Sequence, residues 1–172
     1  IFILETFTDI HELKSALIGV REICDKPVAV QMSFHNGRTV TGSNVEVFCA
    51  TVENLSDFIG VNCTSPEPTL DLLLKLHELT DKPLICEPNA GVRGAEFSPQ
   101  YFAEFAEKAI KIGVKLIGTC CWSTPEYTKK IKEVVKDKKY ISKKIKKRVS
   151  FSSRYKVVYL GERTVIVGDR IN

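Results

Sequence analysis

The chain has 172 residues, 44% of them apolar, enough to bury one hydrophobic core, and no apolar run approaches the ~20 residues of a membrane-spanning helix. Net charge is +4, but eleven of the 25 basic residues lie within 129–148 beside only Glu133 and Asp137, leaving 14 basic against 19 acidic residues elsewhere. With no nucleic-acid-binding motif around it, that basic run reads as a solvated last helix entering a charged linker, not as a nucleic-acid surface.

Apolar, β-branched runs at residues 1–6, 28–34, 58–63, 84–87 and 115–120 predict buried strands. Helical spacing fills the intervals between them. Residues 9–24 place Ile10, Leu13, Leu17, Val20 and Ile23 on one face, with Asp9 as N-cap. Residues 67–80 do the same with Leu70, Leu73, Leu74 and Leu76, and residues 100–112 with Phe102, Phe105, Ala106, Ala109 and Ile112. Gly113 is the stop signal of the last of these. Asp25-Lys26-Pro27-Val28 and Asp81-Lys82-Pro83-Leu84 share one phrase, in which Pro ends a helix and costs no ladder bond before a strand.

A strand–helix unit repeated every 26–31 residues calls for a parallel sheet with right-handed crossovers. An open doubly wound sheet and a (β/α)8 TIM barrel both satisfy this. Neither Gly-x-Gly-x-x-Gly nor a Walker loop is present, which counts against the nucleotide-binding sheets and favours the barrel. Only about five β/α units are visible, and the chain opens without Met inside a strand. It is therefore expected to be a segment of a longer protein. On this reading residues 1–137 are the C-terminal part of a barrel, 138–163 a basic linker, and 164–172 the start of a following domain. Alone, the segment is expected to be poorly stable and inactive, because two sheet edges would be uncovered.

Cys63 follows the strand-like run Asp57-Phe58-Ile59-Gly60-Val61, and Cys120-Cys121 follow Val114-Lys115-Leu116-Ile117-Gly118. All three thiols thus stand where strands end and loops begin, the functional end of a parallel α/β fold. Converging there, they would hold a zinc ion by three ligands and leave its fourth position free for a substrate thiol. No basic n-region or cleavage site marks the N-terminus as secretory. A cytoplasmic, reducing setting is expected, where clustered cysteines bind metal or do thiol chemistry more often than they form disulfides.

In order along the chain stand Leu4-Glu5-Thr6-Phe7-Thr8-Asp9, Gly37-Arg38-Thr39-Val40-Thr41-Gly42, Gly60-Val61-Asn62-Cys63, Glu87-Pro88-Asn89-Ala90-Gly91, and Cys120-Cys121 with Thr124-Pro125-Glu126. Over residues 1–137 this series resembles the homocysteine S-methyltransferase family, zinc-dependent (β/α)8 barrels, from their fourth strand to their eighth. The tail Gly168-Asp169-Arg170-Ile171-Asn172 resembles the Gly-Glu-Arg-Ile-Asn that opens the folate (pterin) barrel in the cobalamin-dependent methionine synthase family, with Asp169 in place of Glu.

The resemblance implies that Cys63, Cys120 and Cys121 ligate zinc, that Glu5 holds the amino group of homocysteine, and that Asn89 supports the zinc and substrate pocket. It implies methyl transfer to the homocysteine thiol to form methionine, with no catalytic group beyond the metal site. Methylcobalamin is the implied donor, and cobalamin- and folate-binding domains of the parent chain the implied partners. Betaine or S-methylmethionine as donor, or fusion to a methylenetetrahydrofolate reductase, are the alternatives. A structural zinc or thiol domain is the non-enzymatic one, and it calls for a fourth protein ligand. Neither a nucleic acid nor a membrane is an expected partner.

Two positions depart from the family's Gly-Gly-Cys-Cys-Gly: Thr119 and Trp122. Asn62 reads equally as a pocket residue or a loop-bonding one. Cys24, Cys49 and Cys86 read as small core residues, His11 and His77 as helix surface, and His35 as a loop residue. Arg38 and Thr41 fall at the pocket rim without an assignable role.

Overall fold

Five strands form one parallel sheet in the computed structural model, which describes residues 1–140, 142–146, 148–161, 164–166 and 168. They are β1 (Phe2–Phe7), β2 (Val28–Met32), β3 (Phe58–Asn62), β4 (Leu84–Glu87) and β5 (Val114–Ile117), ordered in space as in sequence. A helix follows each: α1 (Ile10–Ile23), α2 (Val45–Val52), α3 (Pro66–Leu79), α4 (Pro99–Ile112) and α5 (Pro125–Val135). A doubly wound sheet reverses its strand order at a switch point. Here the order never reverses, so the fold is that of the TIM-barrel family, with five of its eight units present.

Strand side chains alternate between faces, and the alternation separates two chemistries. Val28, Val30, Met32, Ile59, Val61, Leu84 and Cys86 face the helices, packing with Leu13, Leu17, Phe48, Leu73, Leu76 and Phe105 in the main core. The intervening positions of β1–β4 include Glu5, Gln31, Gly60, Asn62 and Glu87, which share the opposite, lumen face and become polar toward the strands' C-terminal ends. A smaller cluster of Phe102, Ala106, Tyr127 and Ile131 fixes α5 on α4, with Phe102 and Tyr127 edge-to-face at 5.1 Å.

Two residues assigned to helix faces lie elsewhere. Ile23 is 79% exposed and Leu74 50% exposed. At 100° per residue, Ile23 sits about 140° from Ile10, and Leu74 about 135° from the centre of the buried face of α3, so neither can reach the sheet. Helix α2 escapes the sequence reading because Val45-Glu46-Val47-Phe48-Cys49-Ala50-Thr51-Val52 is rich in strand-forming residues. Its place as the crossover between two parallel strands overrides that preference, and Asn44 caps it by accepting from the Val47 amide at 3.0 Å. Gly113 ends α4 at φ 102°, as predicted.

Within the segment expected to be a linker, β6 (Ser150–Ser152) and β7 (Val157–Tyr159) pair antiparallel. The hairpin rests on the barrel through Arg154–Asp9 at 3.1 Å and through Ser43 Oγ donating to the Arg154 carbonyl at 2.9 Å. The expected start of a next domain at 164–172 lies largely outside the described residues. Among those described, no helix is long and apolar enough to cross a membrane.

Candidate functional site

Hydrogen bonding continues past the sheet's end and decides where the thiols go. The Cys63 amide donates to the Glu87 carbonyl at 3.0 Å, and the Asn89 amide to the Thr64 carbonyl at 3.2 Å. On the other flank, the Cys120 amide donates to the Pro88 carbonyl at 2.9 Å and the Ala90 amide to the Cys121 carbonyl at 2.8 Å. The loop after β4 is thereby held between the loops after β3 and β5. Cys63 and Cys120-Cys121, 57 residues apart in sequence, meet over it.

The three Sγ atoms all lie within 4.8 Å of one another. Cys63 and Cys121 are separated by 3.7 Å, and Cys120 and Cys121 by 3.8 Å. Tetrahedral zinc with Zn–S bonds of about 2.3 Å needs sulfurs about 3.8 Å apart. The donor set therefore fits that ion in chemistry and in spacing. Among the described residues no fourth His, Cys, Asp or Glu joins the cluster.

The same crowding shapes the electrostatics. Burial pushes the Cys63 thiol up to about 12, and neighbouring Cys121 and Cys120 add to the rise. Cys120 is raised as well, again chiefly by burial. Crowded thiols resist ionising beside one another, and a cation placed among them inverts that preference.

Asn89 is buried at 6% exposure, and its Oδ1 has no hydrogen-bond partner among the described residues. Glu5 stands at the lumen end of β1, where its Oε2 accepts from Asn62 Nδ2 at 3.0 Å. Asn62 also donates to Thr6 Oγ1 at 2.6 Å and accepts from the Thr6 amide at 2.9 Å. It is thus the cross-tie between β1 and β3.

Trp122 holds φ 63°, a region where glycine is unstrained, and its indole is 56% exposed. The Thr119 hydroxyl accepts from Ser123 Oγ at 2.8 Å and fits without strain. Arg38 donates to the Gly42 carbonyl within its own loop and Thr41 to the Thr8 carbonyl in the loop after β1, both at 2.8 Å. His11 and His35 are exposed and His77 is partly buried. Cys49 and Cys86 belong to the core, whereas Cys24 is only half-buried at the end of α1.

Sequence reasoning missed Gln31 and Glu87. Gln31 Nε2 donates to Glu87 Oε2 across β3. Burial raises the Glu87 carboxyl above the ordinary range, with the Gln31 hydrogen bond opposing and Glu5 adding to the rise. The period-2 alternation that places Ile85 and Glu87 on one face was the available signal.

A homocysteine S-methyltransferase family profile matches residues 1–135. The methionine synthase of Mycobacterium tuberculosis is 28% identical over 188 residues, spanning 99% of this chain and 16% of its own length. Homocysteine S-methyltransferase 2 of Saccharomyces cerevisiae is 29% identical over 150 residues, 77% of this chain and 46% of its own length. The metallated form of the homocysteine methyltransferase MmuM from Escherichia coli superposes with a TM-score of 0.66 at 23% identity, covering 76% of this chain and 43% of that one. The chain thus spans less than half the length of each of these relatives.

Proposed function

The chain belongs to the homocysteine S-methyltransferase family, and from that premise we propose that Cys63, Cys120 and Cys121 hold one zinc ion whose fourth position accepts the thiol of homocysteine. The observation that carries this reading is the three-sulfur cluster with tetrahedral spacing and no fourth protein ligand among the described residues. A structural zinc site would be closed by a fourth ligand. When bound, the metal supplies a substrate sulfur held as thiolate at neutral pH, far below a free thiol's pKa of about 8.5.

The chain's own residues supply position. The backbone bonds of the β4 loop fix the spacing of the sulfurs. Glu5, oriented by Asn62, faces the lumen as a partner for the substrate's ammonium group. Asn89 brings an unpartnered acceptor to the loop that carries the thiol contacts. The reaction is methyl transfer to homocysteine sulfur, giving methionine. Methylcobalamin is the donor we favour, on the folate-domain-like tail and the methionine synthase relatives. Residues 1–137 are then barrel, 138–163 the connection and 164–172 the entry to a folate-binding domain, in a parent working in the cytoplasm.

Zinc analysis with sulfur X-ray absorption on the full-length protein and its Cys63→Ser variant tests this. One zinc lost in the variant, and one sulfur gained by the metal on adding homocysteine, is the expected result. A closed four-ligand site indifferent to homocysteine would leave a structural zinc domain instead.

A further inference from the structure

The lumen face carries a second acidic residue that the methyl-transfer reading does not use. Glu87, at the end of β4, is the sheet neighbour of Asn62, the residue that holds Glu5. Its side chain is half-buried, and Gln31 reaches it from two strands away. One glycine makes room for it: at Gly118 a Cβ would fall 2.8 Å from Glu87 Oε1. The site is built to receive this carboxylate.

Hydrogen-bond accounting shows what it lacks. The Gln31 amide must present its NH2 to Glu87, because a carboxylate only accepts. That leaves Gln31 Oε1, on a fully buried residue, without a donor among the described residues. Buried acceptors without partners are rare and call for an explanation. Glu5 and Glu87 thus gather acceptors on the lumen face around Asn62, the residue before Cys63.

We infer that Glu87, seated by Gln31 and Gly118, is a second ammonium-binding carboxylate of the pocket and selects thiols bearing a primary amino group. This deepens the proposed function and rests on it. An ammonium offers three N–H donors, enough to bridge the carboxylates of Glu5 and Glu87. Losing one charge-assisted bond of this kind weakens binding about 10- to 150-fold.

The test is calorimetric titration of the zinc-loaded full-length protein with L-homocysteine and with 4-mercaptobutanoate, the same thiol without its amino group. Glu87→Gln is expected to weaken homocysteine by that factor, with zinc content and 4-mercaptobutanoate affinity unchanged. Gly118→Ala, which displaces the carboxylate and keeps its charge, is expected to give the same selective loss. Equal homocysteine affinity in wild type and Glu87→Gln overturns the inference and leaves thiol activation standing. If wild type binds neither thiol, the function proposed above has failed, and NMR titration of metal-free protein with n-butylammonium decides this claim separately. A saturable shift lost in Glu87→Gln sustains it, and identical titrations overturn it.

Discussion

Asn62, fully buried at the end of β3, donates to Glu5 Oε2 at 3.0 Å from the position just before Cys63. One side chain thus ties the orientation of a strand-end carboxylate to the strand that delivers a thiol. Asn62→Ala would leave the Thr6 amide and hydroxyl without their buried partner. Stability is expected to fall by about 1–3 kcal/mol in chemical denaturation, with zinc stoichiometry intact. A variant as stable as wild type would show that water replaces the cross-tie.

Gly60 has no room for a side chain, because the obstacle is backbone. A Cβ there meets the Ile85 carbonyl oxygen at 1.7 Å. Gly60→Ala must push β3 and β4 apart, and is expected to cost about 3 kcal/mol, the upper end for overpacking, or to abolish folding. A thermal melt near that of wild type would be incompatible with this packing.

Trp122 occupies a left-handed conformation at φ 63° that costs a non-glycine residue about 1–2 kcal/mol. Trp122→Gly relieves that strain and Trp122→Ala does not. We expect the glycine variant to be the more stable of the two by about 1 kcal/mol, after allowing for glycine's greater chain entropy. Equal stability would mean the turn relaxes when the indole is removed.

Asp57 accepts from Arg21 Nη2 at 2.6 Å and from the Val28 amide at 2.8 Å, locking α1 to the start of β2. Burial acts to raise its carboxyl, but the Val28 and Arg21 interactions outweigh it and the net position is below the ordinary 3.8. A carboxylate depressed in the folded state stabilises above its unfolded pKa, and that contribution is lost as pH falls through the folded value. Asp57→Asn should therefore lower stability at neutral pH and flatten its decline below about pH 4. With the side chain 44% exposed, the effect is expected to stay under about 1 kcal/mol. Parallel acid limbs for the two proteins would rule the contribution out.

The motif residues Cys63, Cys120 and Cys121 were legible because loops after parallel strands share one end of the sheet whatever their separation in sequence. Helix α2 was not, since its local preference is for strand and only the crossover makes it helical. The hairpin Ser150–Tyr159 was equally hidden, because nothing in a basic stretch announces that Arg154 will meet Asp9.

By itself the sequence determined the strand–helix repeat and which residue types arrive at the C-terminal end of the strands, because periodicity and spacing are properties of a chain. Tertiary structure decided everything that depends on two strands at once. The 3.7 Å between Cys63 and Cys121 is set by backbone bonds to a third loop. Trp122 is strained by the φ its turn requires, not by its neighbours in sequence. The Gln31–Glu87 contact has its room because Gly118 lacks a side chain beside the Glu87 carboxylate. Steric room and hydrogen-bond partnership across a sheet follow from register, and register emerges only when the strands pair.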